Sequence, residues 1–478
     1  MISLFSVVAL TLLGANADEA KRKPNVVFIL TDDQRWDGMS CAGNKWIKTP
    51  NLDRLAKEGA RFSNAFVVTS LCSPSRASFL SGRYAHSHHV LNNFTDYPND
   101  LPSFPRQLQS HGYETAYIGK WHMGEDSDEK RPGFDYWVTH RGQGKYFDTE
   151  FNINGDRRVV PGYYTSVVTD MAVDWLKRDH EKPFLLILGQ KAPHGPFVPE
   201  PKYEHALDHV TIPRPETAED TGPPKPKWVK DRVPTWHGIE GNLYGLNEYQ
   251  KFVKSYWLTI PSIDDSVGRV MDTLRETGDL DKTLIVFAGD NGFMLGEHGG
   301  IDKRCMYEDS IRIPMLMRYP KLIKHPPEVI EQMVLNIDVA PTILQICGVP
   351  QLEGTQGRSM VPLLEGDTKD WRKSFLYEYN YEKQFPYTPN VRGVRTDDWK
   401  YMHSPHGDGS PDRHKAEFYN LKKDPLETKN LIDDPASQPK LAELKKELAR
   451  LLKETDALPD QMPVDEGIKT ELPDEKIR

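Results

Sequence analysis

Six short apolar runs, separated by stretches with helical spacing, constrain this chain more than any other feature. Residues 25–31 read NVVFILT, 183–190 PFLLILGQ and 283–288 TLIVFA, and residues 60–68, 114–119 and 314–318 add three more candidates. Runs that are apolar without alternation predict strands buried on both faces. Helical segments at 51–58, 103–111 and 166–177 lie between them. Strands alternating with helices imply a parallel sheet covered on both sides. Gly59 ends the first of these helices, and Ser103 stands where the cap of the second belongs. Residues 247–277 also read as helical, with Pro261 inside them predicting a kink or two helices. Residues 199–245 are rich in proline and charge, lack periodicity and read as a long excursion on the substrate side.

From about residue 371 the pattern changes. Short strand candidates at 375–378, 391–395 and 399–403 are joined by turn residues, and 441–455 is a charged amphipathic helix. This reads as a small antiparallel sheet with a terminal helix. The polar, proline-containing residues from about 457 are expected to lie loosely on the surface. No internal repeat is present. The expected division is 1–17, 18–370 and 371–478.

The opening residues read as a targeting segment. Residues 4–13 are apolar, and Ala15-Asn16-Ala17 fits a small-x-small cleavage site. The run is too short to span a bilayer, and no later stretch is long enough. The expectation is a signal peptide and a mature chain starting near Asp18, with no membrane span. Such a chain is periplasmic, secreted or lysosomal according to its source. The 478 residues are 38% hydrophobic and 27% charged, an ordinary globular balance. A chain of this size buries about 75% of its unfolded surface. With only four cysteines it is not a disulfide-rich module. The net charge of -9 argues against nucleic acid as main partner, since phosphate binding needs a basic face. A small anionic substrate in a locally positive pocket stays compatible with it.

Several strand candidates end in polar residues, and in doubly wound sheets ligands bind at the carboxyl ends of strands. The first run ends in Thr31-Asp32-Asp33, and the run at 283–288 leads into Gly289-Asp290-Asn291-Gly292. Adjacent carboxylates repel one another unless a cation lies between them. Asp32, Asp33, Asp290 and Asn291 together make an all-oxygen set suited to calcium or magnesium. Taken singly, each pair also fits a turn or helix cap. Cys72 precedes a short helix that runs to Ser81 and stops at Gly82. A thiol at a helix N-terminus can be acidic and reactive, and Arg76, one turn on, reaches the same space. Spacing alone equally allows a buried cysteine before a Ser-Pro helix start.

The stretch Cys72-Ser73-Pro74-Ser75-Arg76 resembles the Cys-x-Pro-Ser-Arg motif of type I sulfatases. The second motif of that family matches GYETAYIGKWH at 112–122, and Asp32-Asp33 and Asp290-Asn291 stand upstream and downstream in the family order. The likeness covers roughly residues 23–431. It implies an α/β, alkaline phosphatase-like mixed sheet sandwiched by helices, with a smaller C-terminal antiparallel-sheet subdomain. It also implies that Cys72 is oxidised during export to formylglycine by a formylglycine-generating enzyme. One oxygen of the hydrated aldehyde attacks sulfur and releases the alcohol; the other then expels sulfate. One Ca2+ is implied by the family, because the ligands themselves suit Mg2+ as well, held by Asp32, Asp33, Asp290, Asn291 and the modified Cys72. Arg76 and Lys120 match the cations that hold the hydrate, and His122 matches the base that deprotonates it. His194, in Pro193-His194-Gly195-Pro196, matches the histidine that contacts sulfate. Lys303, in Ile301-Asp302-Lys303-Arg304, matches the sulfate-binding lysine next to the leaving group.

Two further stretches, GRYAHSHHVLNN at 82–93 and IDKR at 301–304, are similar to N-acetylglucosamine-6-sulfatases, the latter also to heparan 6-endosulfatases. They imply a sulfated carbohydrate substrate, most closely the 6-O-sulfate of N-acetylglucosamine in glycosaminoglycan or mucin. His298 is a candidate for the substrate cleft, and Gln384 and His403 for leaving-group contacts, within a Tyr-rich stretch that equally suits a plain antiparallel sheet. His86, His88 and His89 have the look of a metal cluster but read better as packing residues. Cys347 reads as core, no disulfide is expected, and Asn93-Phe94-Thr95 is the glycosylation acceptor pattern. Three alternatives stay open: a sulfatase of another carbohydrate or aryl sulfate, a phosphonate or phosphodiester hydrolase of the same superfamily, and an inactive glycan-binding homologue. The last would have lost Cys72, Arg76 or a calcium ligand, and none is lost.

Overall fold

The computed structural model of the protein describes residues 23–326, 328–406, 414–465 and 467. The expected signal peptide lies outside them. In chain order the elements used below are β1 (Asn25–Thr31), α1 (Pro50–Lys57), β2 (Ala60–Phe62), β3 (Ala65–Phe66), α2 (Cys72–Ser81), α3 (Phe104–Ser110), β4 (Glu114–Gly119), β5 (Tyr136–Thr139), β6 (Phe147–Ile153) and β7 (Asp156–Tyr163). They continue with α4 (Tyr164–Leu176), β8 (Phe184–Gly189), α5 (Tyr249–Glu276), β9 (Thr283–Gly289), β10 (Met294–Leu295), β11 (Ile301–Asp302), β12 (Met315–Arg318), β13 (Glu328–Ile330), β14 (Val334–Leu335) and α6 (Val339–Ile346). The C-terminal elements are β15 (Ser374–Tyr379), β16 (Val391–Thr396), β17 (Trp399–His403), β18 (Glu417–Asn420) and α7 (Gln438–Glu454).

A ten-stranded sheet in the order β13-β2-β12-β9-β1-β8-β4-β5-β6-β7 forms the body of the molecule. Its centre, β9 to β5, is parallel. The flanks are not: β12 runs antiparallel to both β9 and β2, and β6 and β7 form an antiparallel hairpin. The alternation pattern gave the parallel centre of the sheet, and its antiparallel edges agree with the mixed sheet that the family resemblance implies. Strand β7 is largely exposed, so it carries no apolar run to be recognised.

Successive residues of β1 enter opposite cores. Val27 and Ile29 pack with α1, α4 and α5 residues such as Leu52, Val168 and Ile263. Val26, Phe28 and Leu30 pack with Phe79, Phe104 and Ile343 from α2, α3 and α6. This two-sided burial is what the unalternating run encodes.

Three local expectations change. Residues 60–68 are not one strand: β2 belongs to the large sheet, whereas β3 pairs with β14. The chain switches sheets at Ser63 and Asn64, whose backbone and side-chain amides bind Ile330 O and Glu331 O. Pro261 does not divide α5, which is a continuous helix of 28 residues. Ser103 occupies the N-cap position of α3, yet its side chain makes no capping bond.

The C-terminal strands form a separate antiparallel sheet, β15-β16-β17-β18, with β18 unforeseen. Helix α7 turns Leu441, Leu444, Leu448 and Leu451 inward at helical spacing. The described residues beyond α7, up to 465, are anchored rather than loose. Asn390 donates to Pro463 O, the Asp465 amide binds His406 O, and Met462 and Asp465 are buried. Polarity misled there, because the polar groups are spent on internal hydrogen bonds. The excursion at 199–245 is docked through buried Lys225, which donates to Tyr419 Oη (2.9 Å) and Glu427 O (2.7 Å).

Candidate active site

Strand register assembles the site. In the parallel pair of β1 and β9, Thr31 stands opposite Gly289, so Asp32-Asp33 and Asp290-Asn291 leave the sheet side by side. On the other flank of β1, β8 leads to Lys191 and His194, then β4 to Lys120 and His122, then β5 to the turn carrying Gln143. Gly119, at φ +108°, is needed here: a Cβ on it would stand 2.0 Å from Gly189 O. The first two turns of α2 deliver Cys72 and Arg76, and Lys303 follows the short β10–β11 ribbon.

These residues converge in one buried cluster. Cys72 Sγ lies 3.4 Å from Asp32 Oδ1 and 4.0 Å from Asp33 Oδ1. The Asp33 amide donates to Asp290 Oδ1 (3.0 Å), and Asn291 Nδ2 donates to Asp33 Oδ1 (2.7 Å). Ligand atoms of Asp32, Asp33 and Asp290 lie within 4.8 Å of one another. Cations surround them. Arg76 Nε binds Asp290 Oδ2 (2.9 Å) and its Nη2 is 3.4 Å from Asp32 Oδ2. Lys120 pairs with Asp32, Lys303 pairs with Asp33, and His194 Nε2 is 3.8 Å from Asp33 Oδ2.

The electrostatics suit a cation among the carboxylates. Burial raises Asp33 to about 6 and Asp290 to about 7, with neighbouring carboxylates adding to the shift against the nearby cations. Asp32 is also pushed up by burial, but Lys120, His194, Arg76 and Lys303 outweigh this and hold it well below the usual range. Asn291 Oδ1 and Asp33 Oδ2 are buried without a hydrogen-bond partner among the described residues. Bare oxygens of this kind suit a hard divalent cation. Cys72, Asp32 and His194 also lie close enough to share an ion. The unsatisfied oxygens favour the oxygen-ligand reading of this single site.

The N-terminal position of Cys72 on α2 does not acidify its thiol. Burial raises its pKa well above the ordinary value, and Asp32 adds to this. As a thiol it is a poor nucleophile here. Its neighbour Ser73 is fixed by Asn93, whose Oδ1 accepts the Ser73 amide at 3.1 Å. Asn93 is buried, so this packing leaves no room for a glycan on its amide nitrogen.

The three weaker substrate candidates do not join the cluster. His298 is buried against Tyr307 and bonds Asp220 Oδ2 through Nδ1 (3.0 Å). Gln384 is exposed at a turn between β15 and β16. His403 ends β17, its ring stacked on Tyr401 with centroids 5.8 Å apart. The His86–His89 group is no metal cluster: His86 binds Glu378 and Thr455 O, and His88 binds Ser78 Oγ. All four cysteines are free, and Cys347 is buried.

The structure adds residues that the sequence did not single out. Gln143 accepts from Lys120 Nζ through Oε1, and its Nε2 is 2.9 Å from His122 Nε2. Glu125 Oε1 is 2.8 Å from the same nitrogen. Lys191 is buried with its Nζ 3.3 Å from Gln143 O, and burial followed by Lys120 lowers it to about 7. Gln143 sits in a polar turn without pattern. Lys191 was readable as the first polar cation after a buried strand.

A family model described as Sulfatase matches residues 24–349, and one described as N-sulphoglucosamine sulphohydrolase, C-terminal, matches residues 296–454. The N-acetylglucosamine-6-O-sulfatase of Bacteroides thetaiotaomicron is 35% identical over 501 aligned positions, covering 91% of this chain and 87% of that protein. The N-acetylglucosamine-6-sulfatase of Homo sapiens is 34% identical, covering 76% of this chain and 68% of that protein. Among solved structures, BT4656 in complex with its substrate D-glucosamine-2-N,6-O-disulfate aligns with a TM-score of 0.83 at 32% identity, covering 92% of this chain and 99% of the other.

Proposed function

The chain belongs to the sulfatase family and is a sulfuric ester hydrolase, and from that premise we propose that it removes the 6-O-sulfate of N-acetylglucosamine in a glycosaminoglycan or mucin glycan. The observation that carries the chemistry is Cys72 Sγ, 3.4 Å from Asp32 Oδ1 inside a buried ring of oxygen donors and cations. The named N-acetylglucosamine-6-sulfatase relatives support the choice of sugar.

Asp32, Asp33, Asp290 and Asn291 would hold a calcium ion, which supplies Lewis acidity toward an oxygen nucleophile and offsets sulfate charge. Cys72 oxidised to formylglycine would supply that oxygen in place of the inert thiol. Arg76 and Lys120 hold negative charge on the nucleophile side, both fixed by Asp32. On the Asp33 side His194 and Lys303 face the sulfate, and Lys303 donates a proton to the departing alcohol oxygen. His122 takes a proton as sulfate leaves. The residues at 1–17 direct export, and a formylglycine-generating enzyme acts on the chain during it. No helix among the described residues is long and apolar enough to cross a membrane.

The test is sulfate release from defined sulfated mono- and disaccharides by protein co-expressed with a formylglycine-generating enzyme, the Cys72 peptide being checked by mass. Selective release from 6-sulfated N-acetylglucosamine is expected. Release from a different sugar sulfate alone would discard the specificity. Faster hydrolysis of aryl phosphonates than of any sugar sulfate would discard the substrate class.

A further inference from the structure

His122 is held in a way its assigned role does not by itself require. The residue sits at φ +49°, a left-handed conformation that costs energy in a non-glycine residue. Its carbonyl accepts from Ser73 Oγ, beside Cys72. Its ring is buried, and the two ring nitrogens have opposite surroundings. Nε2 lies 2.8 Å from Glu125 Oε1 and 2.9 Å from Gln143 Nε2. Nδ1 is buried with no hydrogen-bond partner among the described residues.

Only one proton arrangement satisfies the carboxylate. An ionised carboxylate only accepts, so a nitrogen 2.8 Å away must carry the hydrogen between them. Glu125 is held ionised: burial raises it, but His122 and Lys120 outweigh burial and lower it. The opposite tautomer would set the Nε2 lone pair against the carboxylate and bury an Nδ1–H with no acceptor. The Gln143 amide pulls toward that opposite tautomer, because its NH2 faces Nε2 while its Oε1 is engaged by Lys120. A charge-assisted bond outweighs a neutral one, so Glu125 wins. Burial and then Lys120 also hold the His122 pKa down at about 4, with Glu125 and Asp32 opposing. The ring is thus neutral and able to accept a proton.

We propose that Glu125 is a positioning residue that fixes the His122 proton on Nε2, leaving Nδ1 as the atom that accepts a proton during turnover, with Gln143 as the competing partner that Glu125 overrides. This rests on the reading of His122 as a base given above and names the atom and the device behind it.

The test uses the full-length protein, selectively labelled with 15N-histidine, with the His122 ring signals assigned by difference against His122→Asn. The expected spectrum shows a protonated Nε2 and a bare Nδ1. In Glu125→Ala, Gln143 is left as the sole partner of Nε2 and the proton is expected to move to Nδ1. Its kcat should fall on the order of 100-fold, with KM unchanged or lower, because the loss falls on turnover rather than binding. Glu125→Gln, which keeps the shape and a carbonyl acceptor, should recover part of both the tautomer and the rate. A proton on Nδ1 in the parent protein overturns the proposal. So does a wild-type kcat in Glu125→Ala when His122→Asn is dead, and that result leaves the sulfatase reading intact. Normal turnover by His122→Asn overturns both the proposal and the base assignment.

Discussion

Cys72 Sγ lies within 4.0 Å of carboxylate oxygens of Asp32 and Asp33. With its thiol pKa raised by burial and by Asp32, the unmodified side chain has packing value only. Cys72→Ala should therefore abolish sulfate release while changing stability by about 1 kcal/mol or less, measured by urea denaturation. Normal turnover by that variant would remove it as nucleophile. Lys303 offers a sharper separation. Lys303→Ala should slow hydrolysis of sugar sulfates, whose alcohols leave poorly, about 100-fold more than that of activated aryl sulfates. Equal losses on both would strip it of the acid role. At this scale most of the cluster was legible: Asp32, Asp33, Asp290 and Asn291 follow apolar runs, and Cys72 to Arg76 form a motif. Gln143 and Glu125 were not, because each acts through one contact made possible by distant strands. The Asp220 partner of His298 was not legible either, because its sequence context says nothing of that contact.

Between elements, the junction of the C-terminal sheet with the body depends on a buried charge. Glu378, at the end of β15, binds His86 Nδ1 at 2.9 Å and Arg392 Nη1 at 3.0 Å. Burial pushes its carboxyl up, yet His86 and Arg392 outweigh burial and bring it to about 2. A depressed acid contributes stability above its unfolded pKa and loses it as pH falls through the folded one. The contribution is thus complete at neutral pH and fades from about pH 4.5 toward 2, on the order of 3 kcal/mol in full. His86 is shifted the other way, upward despite burial, so its share is present at low pH and lost as pH rises past its ordinary value. Glu378→Gln should cost stability at pH 7 and progressively less toward pH 3, measured by urea denaturation at stepped pH. A gap that stays constant with pH would refute the ionic account. Elements with unbroken apolar runs were legible, whereas β6, β7 and β18 were not. The exposed faces of β6 and β7 look like any polar loop, and β18 is largely buried but only four residues long, two of them polar.

For the whole molecule, one apolar cluster joins the large sheet to the small one. It contains Val26 and Phe28 of β1 together with Phe375, Val394 and Phe418 of the C-terminal strands and Leu444 of α7. The Phe66 and Phe375 rings meet across the junction at 5.2 Å. A shared core makes separate melting costly. Calorimetry should show a single transition, and residues 18–370 expressed alone should fail to give a soluble, cooperatively folded protein. Two resolved transitions, or a stable fragment, would contradict this.

The pairing of Thr31 with Gly289 sets the spacing of the oxygens beyond it. A slip of one residue between β1 and β9 would carry Asp290 about 3.3 Å along the strand and turn it to the other face. Calcium–oxygen bonds tolerate only about 2.3–2.6 Å. A dication could therefore be captured only by chains whose central strands are in register, so ion retention would act as an inspection step, separating correctly threaded molecules from compact but misaligned ones.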